Sequence, residues 1–250
     1  MKNQYFGDLG DFGKYLLLRH LADAGITIGI NWYLTEDDAS NDGRMTYYLK
    51  TKEHVFRHLD EELFDTLKDM VITRNKRDVI ASEDMNLIRN AVYYHELLDI
   101  SRIRNLGDKK AVRIEWHQNA LKALGSAELI YFDPDNGIAD NKVSGRKNSV
   151  KYLLTSEAAD YYKAGHNLVY YCHKGRRKEG AWEDYKRILC KGNQSEAFSD
   201  AKLICLTYHR GVQRSFVFAI HPEDYARYRK CIDQFLTDGR EVHYSEEKYL

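Results

Sequence analysis

The stretch Glu-Leu-Ile-Tyr-Phe-Asp-Pro-Asp-Asn-Gly-Ile, residues 128–138, decides the predicted fold. Its apolar part, 129–132, has the length and composition of a strand buried on both faces of a sheet. The strand stops abruptly at an Asp-Pro pair, and in open α/β sheets ligands bind beyond the carboxyl ends of the strands. We therefore expect Asp133, Asp135 and Asn136 to face a site. Because Asp, Pro, Asn and Gly are also common turn residues, a plain strand-to-loop turn is the alternative.

The composition is that of a globular protein, with 43% hydrophobic and 30% charged residues in a chain of 250. Thirty-eight basic residues balance 38 acidic ones, so no overall charge draws the chain toward nucleic acid or an anionic membrane. No apolar run could span a bilayer and no signal peptide is visible, so we expect a cytoplasmic protein with no membrane contact. The four cysteines are widely spaced without a Cys-x-x-Cys pair, which predicts reduced thiols.

Residues 3–24 begin as a glycine-rich loop and continue as a leucine-rich helix, with Asp11 as the expected N-cap. Three glycines in the loop would let the backbone approach a ligand closely. We therefore expect Asp8, Asp11 and Lys14 to bind a cofactor. Alternatively, the two acids only cap the helix and Lys14 is solvated.

Residues 26–34 are predicted to form the first strand, and an acidic, polar loop follows it. In doubly wound folds the loop after the first strand commonly receives a nucleotide-like cofactor. Thr35, Glu36 and Asp37 are therefore further cofactor candidates. The glycine-rich fingerprint of such loops is absent here.

A helical segment is expected at about 53–110, between the first strand and the later strands. Within it, a short strand is predicted at 79–81 and ends at Glu83, and a helix is predicted at about 84–99. A basic, loop-like tract closes the segment. A further strand is predicted at 111–116, directly after it.

The predicted strand 167–172 ends in the densest basic cluster of the chain, and its residues are candidates for catalysis or substrate binding. Lys and Arg at a strand end beside the first crevice would bind phosphates, and a solvated loop is the alternative. A second basic loop, 138–149, could close over a phosphate-bearing substrate or be an ordinary solvated charge run. The candidates in the first cluster are His173, Lys174, Arg176 and Arg177.

Strands predicted at 203–208 and 213–220 are close enough in sequence to form an antiparallel hairpin. His209 and Arg214 flank its turn and are candidate substrate contacts. A helix at 149–164 precedes this region, and a short strand near 241–244 follows it. With no repeat or linker, we predict one α/β domain over 1–250. Its sheet is expected to be Rossmann-like and mostly parallel, with the hairpin at the C-terminal end.

Two segments carry a resemblance to a family. Gly7-Asp8-Leu9-Gly10-Asp11-Phe12-Gly13-Lys14-Tyr15, with the helix and strand after it, looks like the opening of the ribosomal RNA adenine-N6 methyltransferases, where a Gly-Asn-x-Ala-Asp-x-x-Lys-His segment precedes the cofactor strand. Residues 113–137 are similar to the part of that family that leads into Asp-Pro-Pro-Tyr, which receives the target amino group. The terminal hairpin resembles the antiparallel end of the methyltransferase sheet. Bacterial three-Cys-motif partner proteins show a related Asp-Pro motif.

The resemblance implies a methyltransferase-like enzyme that uses S-adenosylmethionine and acts on nucleic acid or a nucleotide. Asp11 and Lys14, with the loop after the first strand, would approach the cofactor. Asp133 and Asn136 would orient the acceptor amine, and His173 with a neighbouring arginine would position a substrate phosphate. The chain departs from the family in two places. Its cofactor loop lacks a close glycine, and Asp-Pro-Asp-Asn replaces Asp-Pro-Pro-Tyr, so Asn136 offers no stacking platform.

Two other functions fit the sequence. Glu83 with Asp133 and Asp135 resembles the Toprim metal site, and these carboxylates could bind Mg²⁺ or Mn²⁺ in a nuclease or phosphoesterase. A catalytically degenerate methyltransferase fold, kept as a nucleic-acid or partner-binding module, is the second alternative.

Overall fold

The computed structural model describes residues 1–237 and 239–247, and within this part seven strands form one mixed sheet beside a small parallel pair. The strands are β1 (Ile28–Asn31), β2 (Val92–Tyr94), β3 (Leu129–Phe132), β4 (Ile138–Ala139), β5 (Leu153–Leu154), β6 (Asn167–Cys172), β7 (Lys202–Tyr208), β8 (Arg214–Ile220) and β9 (Tyr244–Glu247). β4 and β5 form the separate pair. The predicted α/β class is confirmed.

The order of strands across the sheet is β2-β1-β3-β6-β8-β7-β9. β2, β1, β3 and β6 are parallel. β8, β7 and β9 add antiparallel strands, so the sheet is half antiparallel rather than mostly parallel, and the predicted β7–β8 hairpin is confirmed. The chain passes from β1 to β2 on one side and then returns to β3 on the other side of β1. Such a reversal creates a crevice at the carboxyl ends of the strands, where open α/β sheets bind ligands.

Helices cover both faces of the sheet. They are α1 (Leu9–Asp23), α2 (Tyr48–Thr51), α3 (Glu53–Phe56), α4 (Glu61–Lys68), α5 (Ile80–Asp84), α6 (Leu106–Ala123), α7 (Thr155–Lys163), α8 (Glu179–Lys186), α9 (Ile188–Lys191) and α10 (Tyr225–Phe235). α4 continues into a π-helical turn at Asp69–Thr73. Short 3₁₀ turns lie at Asn3–Tyr5, Arg57–Leu59, Asn141–Val143, Ser149–Lys151, Ser195–Phe198 and Arg240–Val242.

The four residues of β3 separate two hydrophobic cores, because successive side chains of a strand point to opposite faces. Leu129 and Tyr131 pack in one core with side chains of α1, α4 and α10. Ile130 and Phe132 pack in the other core with side chains of α6, α7 and α8. All four side chains are fully buried, so β3 is the doubly buried strand that its composition predicts.

The strand predicted at 111–116 is wrong, because these residues lie inside α6. The alternation Ala-Val-Arg-Ile-Glu-Trp resembles a half-buried strand, yet burial in this segment follows the helical period. The side chains that α6 buries are Arg113, Trp116, His117 and Ala120. The helix starts early because the side chain of Asn105 accepts hydrogen bonds from two amides of its first turn.

Other predicted elements are also wrong in type or extent. Residues 79–81 lead into α5 instead of forming a strand, and the helix predicted at 84–99 is absent because this region contains β2. The helical segment expected at 53–110 therefore includes a strand of the main sheet. Parallel pairing with β1 sets the conformation of these residues, which local propensity alone does not indicate. The helix predicted at 149–164 begins only at Thr155, and the last strand begins at Tyr244.

No helix in the described ranges is long and apolar enough to cross a membrane. None of the four cysteines forms a disulfide, as the sequence predicts. Burial raises the pKa of the Cys172 thiol, so this thiol stays protonated at neutral pH.

Candidate functional site

A cavity of about 530 Å³ lies at the carboxyl ends of β3 and β6 and the amino end of the antiparallel β8. Its size is that of a small-molecule site. Most of its wall comes from the start of α1, the loop 41–45, residues 131–136, residues 171–173 and the start of β8, and Met1 and Lys151 add to it. The cavity therefore lies next to the reversal in strand order.

Lys14 is the central cation of the cavity wall. Its Nζ lies 2.7 Å from Asp11 Oδ1 and 2.8 Å from Asp133 Oδ2, and its side chain is only 4% exposed. Burial acts to lower the pKa of Lys14, but Asp11 and Asp133 outweigh it, so the pKa is raised and the amine stays charged. Its Nζ also lies 4.7 Å from the ring centroid of Trp32.

The two carboxylates beside Lys14 are held by further hydrogen bonds. The Tyr131 hydroxyl donates to Asp133 Oδ1 at 3.0 Å, and the Gly7 amide donates to Asp11 Oδ2 at 3.1 Å. Burial raises the pKa of Asp11 to about 6 against the opposing effect of Lys14, and the carboxylates of Asp8 and Asp133 raise it further. Asp11 therefore changes charge close to neutral pH.

Asp8, and not Asp11, is the N-cap of α1. Its Oδ1 accepts a hydrogen bond from the Asp11 amide at 2.8 Å, and its Oδ2 lies 3.2 Å from Arg214 Nη2. Asp8 thus both caps the helix and pairs with a cation of the cavity wall. Arg214 Nη1 is buried and donates no hydrogen bond within the described chain. Burial lowers the pKa of Arg214, but Asp8, together with Tyr171 and Asp11, outweighs this effect, so the pKa is raised.

The glycines expected to admit a ligand instead admit side chains of the protein. A Cβ built on Gly10 would lie 1.8 Å from the guanidinium carbon of Arg214. A Cβ built on Gly13 would lie 2.7 Å from the ring of Tyr208. These two glycines therefore let α1 pack closely against β7 and β8, which brings Arg214 to Asp8.

Asp135 is a buried carboxylate whose side chain is 6% exposed. Three amines surround it: the amino group of Met1 at 2.9 Å, Lys151 Nζ at 3.8 Å and Lys2 Nζ at 3.9 Å. These contacts provide charge compensation, yet neither carboxylate oxygen accepts a hydrogen bond of good geometry within the described residues. A ligand that donates a hydrogen bond to such a buried oxygen would bind more favourably, because the oxygen accepts no other hydrogen bond of good geometry from the described residues.

His173 and Asn136 complete the polar wall of the cavity. Burial lowers the pKa of His173, and the nearby positive charges of Arg177 and Arg214 lower it further, so the imidazole is neutral at pH 7. The Tyr171 hydroxyl lies 3.4 Å from His173 Nδ1. The backbone of Asn136 is fixed because its amide donates to the Lys151 carbonyl at 2.9 Å.

In the loop after β1, residues 41–45 line the cavity, but residues 35–37, predicted to contact a cofactor, lie outside it. Residues 1–4 run along 35–37: the Thr35 amide donates to the Met1 carbonyl, and the Gln4 amide donates to Asp37 Oδ1. Glu36 is exposed to solvent. The structure thus brings Asp8, Asp11 and Lys14 to the cavity without the other three cofactor candidates.

Most of the basic residues predicted to bind substrate also lie outside the cavity. Lys174 pairs with Glu179, and the guanidinium of Arg177 lies 3.9 Å from the ring centroid of Tyr185. Arg176 is exposed to solvent on the same loop. The ring of His209 contacts Ser245 Oγ at 2.6 Å. Of the five predicted substrate contacts, Arg214 lines the cavity.

The three carboxylates of the metal hypothesis do not come together. Glu83 lies in α5 instead of at a strand end, and its Oε1 accepts a hydrogen bond from the Trp32 indole at 2.9 Å. His95 Nδ1 lies 2.8 Å from its other oxygen. Among residues 1–237 and 239–247, no group of three His, Cys, Asp or Glu side chains is arranged to hold a metal ion.

Sequence reasoning missed several residues of the cavity wall, namely Tyr5, Arg44, Tyr131, Lys151 and Tyr171. The two tyrosines in strands could have been found, because each lies two residues before a predicted site residue and therefore points to the same face of its strand. Arg44 and Lys151 come from loops whose paths the sequence does not specify. The sequence matches no protein-family model and no curated protein.

Proposed function

We propose that this chain is a methyltransferase-like enzyme that binds S-adenosylmethionine in the cavity and acts on nucleic acid or a nucleotide. The observation that carries the proposal is the position of Asp133, Asp135 and Asn136. They follow the carboxyl end of β3 at the reversal in strand order and face the cavity. The C-terminal antiparallel hairpin next to β6 also agrees with the resemblance to the methyltransferase sheet.

The chemistry of the cavity wall fits this cofactor. S-adenosylmethionine contains an ammonium and a carboxylate group, ribose hydroxyls and an adenine ring, and when bound it supplies an electrophilic methyl group. The wall offers acids and bases in similar number, together with tyrosine rings. The Asp135 oxygens can accept from an ammonium or a hydroxyl, and Arg214 Nη1 can donate to a carboxylate. A mixed-charge ligand matches such a wall better than a purely anionic one.

The remaining residues suit the handling of an acceptor amine. Tyr131 and Lys14 fix the Asp133 carboxylate in one orientation, and each carboxylate oxygen can still accept a further hydrogen bond. The side-chain carbonyl of Asn136 supplies a second acceptor. The neutral His173 ring can take up one proton on whichever nitrogen lacks one. These groups orient an amine and receive its proton.

The test is a calorimetric titration of S-adenosylmethionine into metal-free protein. We expect saturable binding that Asp135→Asn weakens roughly 10- to 100-fold, because a hydrogen bond to a charged group contributes about 1.5–3 kcal/mol. Asp37→Asn is the matched control, since it removes the same charge from a residue outside the cavity. Urea unfolding of both variants checks that their folds are intact.

Two results would contradict the proposal. Absence of binding to folded wild-type protein would favour the binding-module alternative. Heat on adding Mg²⁺ or Mn²⁺, lost in Asp133→Asn and not accompanied by cofactor binding, would favour the metal-dependent alternative.

A further inference from the structure

Two loops beside the cavity carry a strong local excess of positive charge, although the chain as a whole is neutral. Residues 173–178 directly follow β6, and residues 140–151 connect β4 to β5 in the chain just after β3. Residues 140–151 and 173–178 contain eight lysines and arginines and one aspartate. The loop after β1 has the opposite charge, with four acids and one arginine between residues 34 and 45. Positive charge is therefore concentrated on one side of the cavity.

Five cations of these loops, which we term the basic stripe, are exposed and form no ion pair within the described residues. The basic stripe consists of Lys142, Arg146, Lys147, Arg176 and Lys178. None of the five lines the cavity. Both loops nevertheless reach it, because Lys151 belongs to the first loop and His173 to the second. The stripe is thus a solvent-facing surface that leads directly to the cavity.

We infer that the basic stripe binds the backbone phosphates of a single-stranded nucleic acid, one unstacked base of which enters the cavity. This inference rests on the proposed function for the role of the cavity, and it selects a polymer over a free nucleotide as the substrate. Exposed lysines and arginines bind a phosphate backbone without reading its sequence. The Asp133 side chain is 9% exposed at the cavity wall, so a base stacked inside a duplex cannot reach it. The acidic loop after β1 would repel the strand from the other side of the cavity.

The experiment measures binding of labelled oligonucleotides of about 20 residues, long enough to cover the stripe. RNA and DNA single strands of one mixed sequence, the matching duplex, and AMP are compared by fluorescence anisotropy or competition between about 50 and 200 mM salt. The test variant is Lys142→Glu with Arg146→Glu and Lys147→Glu. The matched control is Lys122→Glu with Lys163→Glu and Lys202→Glu, which reverses three exposed lysines on other parts of the surface.

We expect the single strand to bind the wild type with a steep salt dependence. The stripe variant should lose at least about tenfold in affinity, and its salt slope should fall by about 2, since each neutralised phosphate contributes about 0.7. The control variant should retain the wild-type affinity. Equal losses in both variants, equal affinity for the duplex, or binding of AMP without binding of the strand would overturn the inference.

Calorimetry with S-adenosylmethionine separates this inference from the proposed function. Both triple variants should bind the cofactor as the wild type does, because none of the six side chains lines the cavity. If the strand binds through the stripe while the cofactor does not bind at all, the proposed chemistry fails and the nucleic-acid surface stands.

Discussion

Around Lys14, one buried ammonium compensates two carboxylates, and a third acid, Asp8, lies close by with its own partner Arg214. Burying so many charges is costly, and a hydrophobic replacement of similar volume is often as stable. Such clusters with perturbed pKa values concentrate at functional sites. The cluster also forms part of a cavity wall, which a purely structural ion pair would not need to do. Its geometry therefore supports a role in ligand binding.

Asp11 gives a test of this cluster through the pH dependence of stability. Its pKa in the folded protein is raised from 3.8 to about 6, so the folded protein holds this proton more tightly than the unfolded chain. The wild type therefore loses stability relative to Asp11→Asn as pH rises through this window. The relative loss should approach about 3 kcal/mol, because one pKa unit corresponds to about 1.4 kcal/mol.

Urea unfolding of both proteins at several pH values between about 4 and 7.5 measures this difference. The pH-independent effect of the Asn side chain cancels in the comparison. Raising the salt concentration is the control. The difference between the two proteins should persist, because salt screens the charges around a buried group only weakly. A difference that stays constant with pH would show that Asp11 does not titrate in this window.

Eight of the predicted site residues reach the cavity, because each belongs to a feature that the sequence signals. Asp8, Asp11 and Lys14 lie at a helix start, while Asp133, Asp135, Asn136 and His173 follow buried strands, and Arg214 begins one. Thr35, Glu36 and Asp37 do not reach the cavity, and two of them, Thr35 and Asp37, form hydrogen bonds with residues 1–4. No local sequence pattern predicts the contact between residues 1–4 and 35–37, since the two segments are about 30 residues apart and pair through irregular backbone.

At the scale of elements, Arg113 of α6 ties together several parts of the chain behind the cavity. Its guanidinium donates to the carbonyls of Ser149 and Tyr152, both at 2.6 Å, and to the carboxylate of Glu157 at 2.6 and 2.9 Å. It thereby fixes the segment that carries Lys151, whose carbonyl in turn holds the Asn136 amide. Burial raises the pKa of Glu157, but Arg113 outweighs this effect and lowers it overall, so the pair is ionised.

Arg113→Met should therefore destabilise the protein by about 3–5 kcal/mol, because it leaves the Glu157 carboxylate buried without its partner. We also expect faster hydrogen exchange at the amides of 149–153, measured by mass spectrometry. Arg104→Met is the control, because Arg104 is exposed on the loop just before α6 and should change stability by less than about 0.5 kcal/mol. Similar effects of the two substitutions would refute the proposed role of Arg113.

The same helix shows why parts of the fold could not be predicted. β3 and β6 were predicted with correct bounds, because long apolar runs between turn residues have few alternatives. The residues 111–116 fit both periods, and the burial of Arg113 and Trp116 by partners distant in sequence favours the helix. β2 has three residues and depends on pairing with β1, so its own sequence carries little signal. Tertiary contacts decided both cases.

For the whole molecule, the strand order places the cavity, the basic stripe and the acidic loop after β1 at one edge of the sheet. A bound ligand should therefore slow hydrogen exchange at this edge and leave the opposite edge unchanged.

With S-adenosylmethionine we expect protection at the start of α1, at 133–136 and at 171–173, because these backbones line the cavity. Residues 164–166, between α7 and β6 at the amino edge, provide an internal reference. Residues 35–37 should not gain protection, since they lie outside the cavity. Protection at 35–37 without protection at 133–136 would move the cofactor to the loop that the sequence first indicated. Protection by an oligonucleotide alone, across 140–151 and 173–178, would instead identify a nucleic-acid-binding module.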